Sequence, residues 1–422
     1  MIKRRWALVV LLAVSGAGLC LLALDARAQK AETGQVWVES WASAQQIPEP
    51  ANSLPASEMT DMTMREIFHL SIGGQVVRVR LSNAFGREPL HFSSVHIARA
   101  MSAASSGIDP ATDRALTFSG SHDVTVPAGA EYLSDPVPFP VEALENVAVT
   151  FYLDEAPVGE TGHPGSRETT YYVHGDAVSA ADLPNAKRVD HWYEVSGVDV
   201  LAPAGAADAV VLGDSITDGH ASITNGNDRW TDVLAERLQA NAATRDIGVL
   251  NEGIGGNHLL TDGLGPNALA RFNRDVLAQA GARWLIVFEG VNDLGKLARE
   301  RDVTPADHVL LVHQIEAAYA QITARAHAAG IKVIGATITP YMGSDYYHPG
   351  PENEADREAV NRWIRTPGHF DAVLDFDKAM RDPKDPERLR PEYDCGDHLH
   401  PSPVGYRTMG GAVPLHLFET VQ

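Results

Sequence analysis

Cysteine is almost absent from this chain of 422 residues, which contains only Cys20 and Cys395. Cys20 lies in an apolar N-terminal stretch that is typical of a removable leader, so the mature chain would keep Cys395 alone. No intramolecular disulfide can then form, and the apolar core has to stabilise the fold by itself. Cys395 is expected to be an inert packing residue.

Positive charge is also scarce. The 34 Lys and Arg residues are outnumbered by 55 Asp and Glu residues, which gives a net charge of −21. A surface this acidic repels nucleic acid and anionic membranes, so neither is an expected partner. No spacing suggests a zinc site, and no glycine-rich loop ends in a phosphate-binding lysine. We therefore expect no metal and no cofactor.

Residues 1–28 have the features of a signal peptide. Basic residues at positions 3 to 5 precede an apolar run over Ala7–Leu24, and Ala26-Arg27-Ala28 is a small-x-small cleavage site. We expect cleavage near Ala28 to give a secreted or periplasmic protein with no stable membrane association. An uncleaved membrane anchor is the alternative.

Residues 29–200 are predicted to form an accessory domain with a β-sandwich or jelly-roll fold. Gln75–Leu81 alternates apolar and polar residues, and Gly73-Gly74 predicts a tight hairpin turn after a strand over Met64–Ile72. Turn signals separate the other candidate strands, which are Val36–Trp41, Leu90–Ala98, Asp123–Val126, Val147–Leu153 and Thr169–Val173. Short strands without a long helical pattern favour this class of fold.

The pattern changes after Asp199–Ala207, which reads as a linker. Over residues 206–422, apolar strand patterns alternate with helical ones, such as the predicted helix Pro266–Ala280. This alternation predicts βαβ units and a parallel sheet covered on both faces. The expected fold class is α/β, with a flavodoxin-like three-layer C-terminal domain.

A serine follows the first strand of this second domain. The apolar stretch Ala209–Leu212 ends at Gly213, and Asp214-Ser215 comes next, at the end of a strand where open α/β sheets bind ligands. A Gly-Asp-Ser turn alone is weak evidence, because Asp and Ser are common turn residues. We expect Asp214 and Asp218, and similarly Asp293, to be turn or helix-cap residues.

Three more polar segments complete a possible site. Asn251–Asn257 and Glu289–Asp293 follow later strands, and Asp397–Pro401 precedes the last helix. Carboxyl ends of parallel strands share one edge, so these segments should meet at one crevice. Acyl transfer needs a serine, a base that takes its proton, a group that orients the base, and donors for the oxyanion. Ser215, His400, Asp397, Gly256 and Asn292 could supply these parts, with the Ser215 N–H as a further oxyanion donor.

In order, these four blocks resemble the SGNH/GDSL hydrolase family, and the resemblance covers roughly residues 206–422. It implies a carboxylic ester hydrolase with Ser215 as nucleophile, His400 as base, Asp397 as its orienting acid, and Ser215, Gly256 and Asn292 at the oxyanion hole. The third block departs from the usual pattern, since Glu289 stands where a second glycine is commoner. His398 is an additional imidazole and an alternative base. The β-rich front, especially residues 65–90, resembles two-domain secreted bacterial members.

Loop residues near the same edge are candidate substrate contacts. They are His258, Tyr341, Tyr346, Tyr347 and His348, and simple loop packing is the alternative for each of them. The sequence thus predicts a serine esterase that removes short acyl groups, such as acetyl groups on a carbohydrate. Its partner would be a small acyl ester or an acylated glycan. A broad arylesterase or lysophospholipase is one alternative, and a non-catalytic carbohydrate-binding protein is an alternative of another class.

Overall fold

The computed structural model describes residues 34–299 and 303–419. The predicted signal peptide, residues 1–28, lies outside the described residues. No helix within these two stretches is long and apolar enough to cross a membrane.

From residue 34 to about residue 206, the described chain is rich in β-structure and contains one helical turn, α1 (Ala56–Met59). The strands, in chain order, are β1 (Gln35–Ala42), β2 (Met62–His69), β3 (Gly74–Ser82), β4 (Leu90–Phe92), β5 (Ser94–Arg99), β6 (Arg114–Ala115), β7 (Val124–Val126), β8 (Glu131–Leu133), β9 (Val137–Val141), β10 (Asn146–Leu153), β11 (Gly162–His163), β12 (Thr170–His174), β13 (Lys187–Val189), β14 (Trp192–Tyr193) and β15 (Val195–Pro203).

Two antiparallel sheets dominate this β-rich region. One has the order β1-β15-β3-β8, with β9 also paired to β3, and the other has the order β13-β12-β2-β10-β5-β6. A single apolar core draws side chains from both sheets, for example Val79 of β3 and Phe68 and Val149 of the second sheet. The two sheets therefore bury their apolar faces against a common core, while the jelly-roll connectivity stays a prediction.

The hairpin predicted at Gly73-Gly74 is wrong, because β2 and β3 lie in different sheets. A two-residue hairpin needs positive φ angles, and neither glycine has one. Gly73 is needed for space instead, since a Cβ there would lie 2.7 Å from the Val141 carbonyl oxygen. The predicted strand Leu90–Ala98 is likewise divided into β4 and β5, which pair with β7 and β10 respectively.

The second half of the chain contains a five-stranded parallel sheet. Its strands are β16 (Ala207–Gly213), β17 (Ile247–Gly253), β18 (Ala282–Phe288), β19 (Lys332–Ala336) and β20 (Ala372–Leu374), in the order β17-β16-β18-β19-β20. All neighbouring pairs are parallel. This is the strand order of flavodoxin-like doubly wound sheets, and it places the end of β16 between the ends of β17 and β18.

Helices connect these strands. They are α2 (Ser215–Asp218), α3 (Trp230–Gln239), α4 (Ala268–Phe272), α5 (Val291–Arg299), α6 (Pro305–Ala328), α7 (Pro351–Arg365), α8 (Phe376–Met380) and α9 (Pro403–Ala412), with a final 3₁₀ turn over Leu415–Phe418. The helix predicted over Pro266–Ala280 is shorter at both ends. It consists of α4 and of a π-helical turn that follows directly over Asn273–Leu277. A small hairpin, β21 (Arg381–Asp382) and β22 (Asp385–Leu389), precedes the last loop.

The two halves are joined closely. The expected linker is mostly strand, since β15 extends to Pro203 and β16 begins at Ala207. The Glu39 N–H donates to Asp208 Oδ2 at 2.9 Å, and the Val249 N–H donates to Ser71 Oγ at 3.0 Å. The β-rich region thus packs directly on the parallel sheet.

Candidate active site

Ser215 lies at the first position of α2, directly after β16. The Asp214 carboxylate caps this helix by accepting a hydrogen bond from the Ile216 N–H at 2.9 Å. A Cβ at Gly213 would overlap the Thr217 side chain, so the tight turn between strand and helix requires glycine. The turn therefore places the Ser215 hydroxyl at the carboxyl edge of the sheet, between the ends of β17 and β18.

Ser215, His400 and Asp397 form one hydrogen-bonded chain. The distance from Ser215 Oγ to His400 Nε2 is 2.8 Å, and that from His400 Nδ1 to Asp397 Oδ2 is 2.6 Å. Asp397 Oδ1 also accepts from the backbone N–H groups of Leu399 and His400 at 2.9 and 2.8 Å. Burial opposes ionisation of Asp397, but the hydrogen bonds from His400 outweigh it and hold the pKa of this carboxyl well below its usual range.

His398, the alternative base, points elsewhere. Its Nδ1 lies 2.6 Å from Asp394 Oδ2, and its backbone has a φ of 60°. The loop thus holds two separate His–Asp pairs, and His400 belongs to the one that contacts Ser215.

Gly256 and Asn292 lie at the same edge as Ser215. Gly256 has a φ of 66° and lines the cleft beside the serine. Asn292 Nδ2 donates to the Asn257 carbonyl at 2.7 Å, while its Oδ1 accepts from the Tyr347 hydroxyl at 2.6 Å. Because the Asn257 carbonyl can only accept, the Asn292 amide must direct its NH₂ group to Asn257, and the Tyr347 hydroxyl then donates to the amide oxygen.

The end of β17 contacts α2, the helix that begins at Ser215. Asn251 Nδ2 donates to the Thr217 carbonyl at 2.7 Å, and a Cβ at Gly253 would overlap the Asp218 backbone. Asp293 Oδ2 accepts from the Leu259 N–H at 2.8 Å and so connects α5 to the same loop. These residues explain why the second and third blocks need Asn, Gly and Asp at these positions.

Arg271 is a fully buried residue of the site that the sequence reasoning missed. Its guanidinium donates to the carbonyls of Gly213 and Glu252 at 3.0 and 2.7 Å and to Asn257 Oδ1 at 3.0 Å. Asp275, at 3.0 Å, supplies a buried counter-charge. One side chain on α4 thus connects the ends of β16 and β17 beneath the cleft. A buried arginine has no local sequence signal, so only the fold could reveal it.

The β-rich region also reaches the site. His163 Nε2 lies 2.9 Å from Asp218 Oδ1 at the end of α2. Arg167 Nη2 donates to His220 Nδ1 at 3.2 Å, and the His220 ring lies 4.0 Å from the His400 ring, centroid to centroid. A segment of the first half of the chain therefore contacts residues next to the Ser–His–Asp chain, which the sequence did not predict.

His220 is held neutral in this arrangement. Burial is the main cause that lowers the pKa of His220, and the nearby positive charges of His400 and Arg167 add to it. The pKa falls to about 4, although Asp397 and Asp218 act in the opposite direction. A guanidinium only donates hydrogen bonds, so Nδ1 accepts and the ring proton lies on Nε2. That nitrogen faces Asp397 Oδ2 at 4.0 Å.

The cleft around Ser215 has a volume of about 850 Å³. Of the expected substrate contacts, His258, Tyr346 and Tyr347 line it. Tyr341 does not, because its side chain is fully buried, and the exposed His348 lies outside the lining as well. These two predictions are therefore corrected: Tyr341 packs in the core behind Tyr347, with ring centroids 6.5 Å apart.

Two groups of side chains have liganding atoms close enough for a metal ion, namely His220, Asp397 and His400, and Asp394, Cys395 and Asp397. Both share Asp397, whose oxygens already accept hydrogen bonds from His400 and two backbone N–H groups. The donor set at Asp397 therefore fits an orienting carboxylate, and we place no metal at either group.

Comparison with known proteins identifies a family for the second half of the chain. Residues 211–408 match the model of the GDSL-like lipase/acylhydrolase family. Similar solved structures include a lipolytic protein of the G-D-S-L family from Desulfitobacterium hafniense DCB-2, at 23% identity over 49% of this chain and 97% of that chain, with a TM-score of 0.37. An acetylxylan esterase from Geobacillus stearothermophilus has 20% identity over 51% and 96% of the chains, with a TM-score of 0.37. A search of curated proteins gives no significant match.

The family match confirms the resemblance drawn from the four sequence blocks, since it spans all of them. Residues 211–408 form a GDSL-like lipase/acylhydrolase domain, and through this domain the protein is a carboxylic ester hydrolase.

Proposed function

We propose that the protein is a serine esterase that hydrolyses short acyl esters, chiefly acetyl groups on carbohydrates, through Ser215, His400 and Asp397. The observation that supports this most is the unbroken hydrogen-bonded chain from Ser215 Oγ through His400 to Asp397 Oδ2. Such a chain supplies a nucleophile, a base and an orienting carboxylate in one line.

The reaction begins when Ser215 Oγ attacks the ester carbonyl carbon and His400 Nε2 takes the hydroxyl proton. Asp397 accepts the hydrogen bond of Nδ1–H, which keeps Nε2 free to act as the base and stabilises the imidazolium that forms. His400 then gives its proton to the departing alkoxide, which leaves an acyl group on Ser215. Water hydrolyses this acyl-enzyme by the same steps, again with His400 as base.

The oxyanion of each tetrahedral intermediate would lie between three donors. The Ser215 N–H belongs to the first turn of α2 and has no acceptor within the helix. The Gly256 N–H and the Asn292 NH₂ group come from the neighbouring strand ends. Donors fixed in this way stabilise charge that develops only during the reaction.

The lining of the cleft supports a small acyl group and a hydroxylated partner. Leu264 and Leu399 are its large aliphatic side chains, while Tyr346 and Tyr347 offer aromatic faces with hydroxyl groups. A long acyl chain would need a longer apolar wall to gain about 0.8 kcal/mol for each buried CH₂ group. A sugar ring can pack on the exposed Tyr346 instead. Export after removal of residues 1–28 would bring the enzyme to such glycans.

Hydrolysis of p-nitrophenyl acetate, butyrate and octanoate tests the proposal. We expect kcat/KM to be highest for acetate and to fall by octanoate, and the enzyme to release acetate from acetylated xylan. Ser215→Ala is the matched inactive control. A kcat/KM that rises steadily with acyl length would instead favour a lysophospholipase or lipase.

A further inference from the structure

Two cations line the cleft of this strongly acidic protein. Lys296 and Arg299 lie on α5, the helix that also carries Asn292, and both side chains border the same cleft as Ser215. Positions 292, 296 and 299 are spaced by four and three residues, so the three side chains lie on one face of the helix. Within the described part of the chain, no carboxylate lies within 4.0 Å of either cation.

Local contacts hold both cations at the wall of the cleft. The Arg299 guanidinium lies over the Tyr346 ring, 4.6 Å from its centroid, and Lys296 Nζ contacts Thr261 Oγ1 at 3.4 Å. Asp262 also borders the cleft, but its Oδ1 already accepts from the backbone and side-chain N–H groups of Asn267 at 2.9 and 2.8 Å. The Asp262 carboxylate keeps its negative charge, but it forms no ion pair with either cation within the described residues. Lys296 and Arg299 can therefore still contact a ligand directly.

We propose that Lys296 and Arg299 form a subsite for a carboxylate group on the substrate, so that the preferred substrates are acyl esters of acidic glycans, which contain uronic acid units. This inference rests on the proposed esterase function. The helix rise of 1.5 Å per residue places the two cations about 6 and 10 Å along α5 from Asn292. A carboxylate on the acylated sugar or on its neighbour can span such distances.

The chemistry of the subsite suits this substrate class. The planar guanidinium of arginine binds a carboxylate through two parallel hydrogen bonds, while lysine adds a point charge. Tyr346 is 60% exposed beside Arg299, so a sugar ring could stack on it while the carboxylate meets the cations. The phosphate of an anionic lysophospholipid would meet the same charges, but its long acyl chain finds little aliphatic wall in this cleft.

A matched pair of substrates tests the subsite. The acidic probe is a set of acetylated oligogalacturonides, and the neutral probe is a set of acetylated xylo-oligosaccharides. The rate of acetate release gives kcat/KM for each probe. We expect the wild-type enzyme to prefer the acidic probe at low ionic strength and to lose much of that preference in 1 M NaCl, where charges are screened beyond about 3 Å. The double variant Lys296→Gln/Arg299→Gln should lower the ratio of the two kcat/KM values about tenfold or more.

Lys332→Gln is the control, because Lys332 begins β19 and so lies at the opposite edge of the sheet from the cleft. This variant should keep the wild-type ratio. A double variant with an unchanged ratio would overturn the subsite, as would a wild-type enzyme that prefers anionic lysophospholipids to both glycans. Wild-type enzyme that hydrolyses p-nitrophenyl acetate but shows no preference between the glycans overturns the subsite alone. Failure to hydrolyse any ester would overturn the proposed function itself.

Discussion

At the scale of single residues, the Ser215–His400–Asp397 chain should behave as one unit. We expect Ser215→Ala and His400→Ala each to remove nearly all of kcat, and the double variant to be little worse, because neither group works without the other. Asp397→Ala should cost less. Steady-state kinetics on p-nitrophenyl acetate measures these effects. An active His400→Ala enzyme beside an inactive His398→Ala enzyme would move the base to His398.

Asn292 offers a second test at the same scale. If its NH₂ group stabilises the oxyanion, Asn292→Ala should lower kcat about 10²–10³-fold with little change in KM. Tyr347→Phe should lower kcat less, since it removes only the hydroxyl that donates to Asn292 Oδ1 and leaves the contact with the Asn257 carbonyl. Tyr346→Phe is the matched control, because its ring also lines the cleft without this hydrogen bond. A higher KM at unchanged kcat would show that Asn292 only binds substrate.

Arg271 shows how a single buried charge supports the site. Replacing it with alanine would remove the fully buried partner of Glu289 and one of the two arginines that pair with Asp275. It would also take one hydrogen-bond donor from the Gly213 and Glu252 carbonyls and from Asn257 Oδ1. Breaking a buried ion pair in this way typically costs about 3–5 kcal/mol. We expect Arg271→Ala to lower the free energy of unfolding by this order, measured by urea denaturation. Arg114→Ala, an exposed arginine of the β-rich region, should change it little.

At the scale of elements, the segment before β12 is packed against the end of α2, the helix that begins at Ser215. Besides His163 and Arg167, the Ser166 carbonyl accepts a hydrogen bond from the buried Arg229 next to α3. The backbone of Arg167 is fixed as well, since its carbonyl accepts from the Asn225 N–H at 2.8 Å. The β-rich region therefore supports residues next to the Ser–His–Asp chain, and its removal should disturb catalysis as well as stability.

This contact predicts a pH effect. Arg167 contributes, after burial and His400, to the lowered pKa of His220, so Arg167→Ala should raise that pKa in part and let His220 take up a proton at a higher pH than in the wild type, beside His400. A second positive charge there opposes the imidazolium that forms during catalysis. We expect kcat/KM of Arg167→Ala to fall more steeply than that of the wild type as the pH decreases below about 6.

The double variant Arg167→Ala/His220→Gln separates this charge effect from a general disturbance. Glutamine cannot take up the proton, so the double variant should lose the additional acid sensitivity. Arg114→Ala again serves as the control in the β-rich region. Parallel pH profiles for the wild type and Arg167→Ala would contradict the expected role of the Arg167–His220 contact.

At the scale of the whole molecule, the junction between the two halves contains a buried acid. The Glu168 oxygens have no hydrogen-bond partner within the described residues, and burial raises the pKa of Glu168 to about 8. In the unfolded chain the group titrates near 4.3. The folded state therefore holds a proton that the unfolded state has lost, and stability decreases as the pH rises between these two values.

Glu168→Gln should remove this decrease in stability at high pH. We expect the melting temperature of the variant to equal that of the wild type at pH 4 and to exceed it at pH 8.5. Glutamine stays uncharged at high pH, so the folded variant buries no charge at this position. Scanning calorimetry at the two pH values measures the difference. A variant that is less stable than the wild type at pH 8.5 would show that the Glu168 carboxylate is stabilised by its neighbour Arg229.

Features of the fold and site that depend on neighbouring residues could be predicted from the sequence. Alternating strand and helix patterns indicated the parallel sheet, and the four blocks indicated the family, because Gly213, Gly253 and Asn251 are required by contacts near the serine. Contacts between residues that are distant in sequence could not be predicted, because they produce no local sequence pattern. Arg167 and His220, which are hydrogen-bonded, lie 53 positions apart. The Gly73 backbone needs space beside Val141, which is also distant in sequence. Tyr341 and Tyr347 lie in one loop, and only the fold shows that Tyr341 is buried while Tyr347 lines the cleft.

Labelling of the nucleophile tests the central claim most directly. A fluorophosphonate reacts with an activated serine and stays bound to it, and peptide mapping by mass spectrometry then locates the adduct. We predict one adduct, on Ser215, which forms together with the loss of p-nitrophenyl acetate hydrolysis and is absent from His400→Ala, whose serine lacks its base. An enzyme that is inactivated by labelling at another residue, or that stays fully active with Ser215 labelled, would contradict the account.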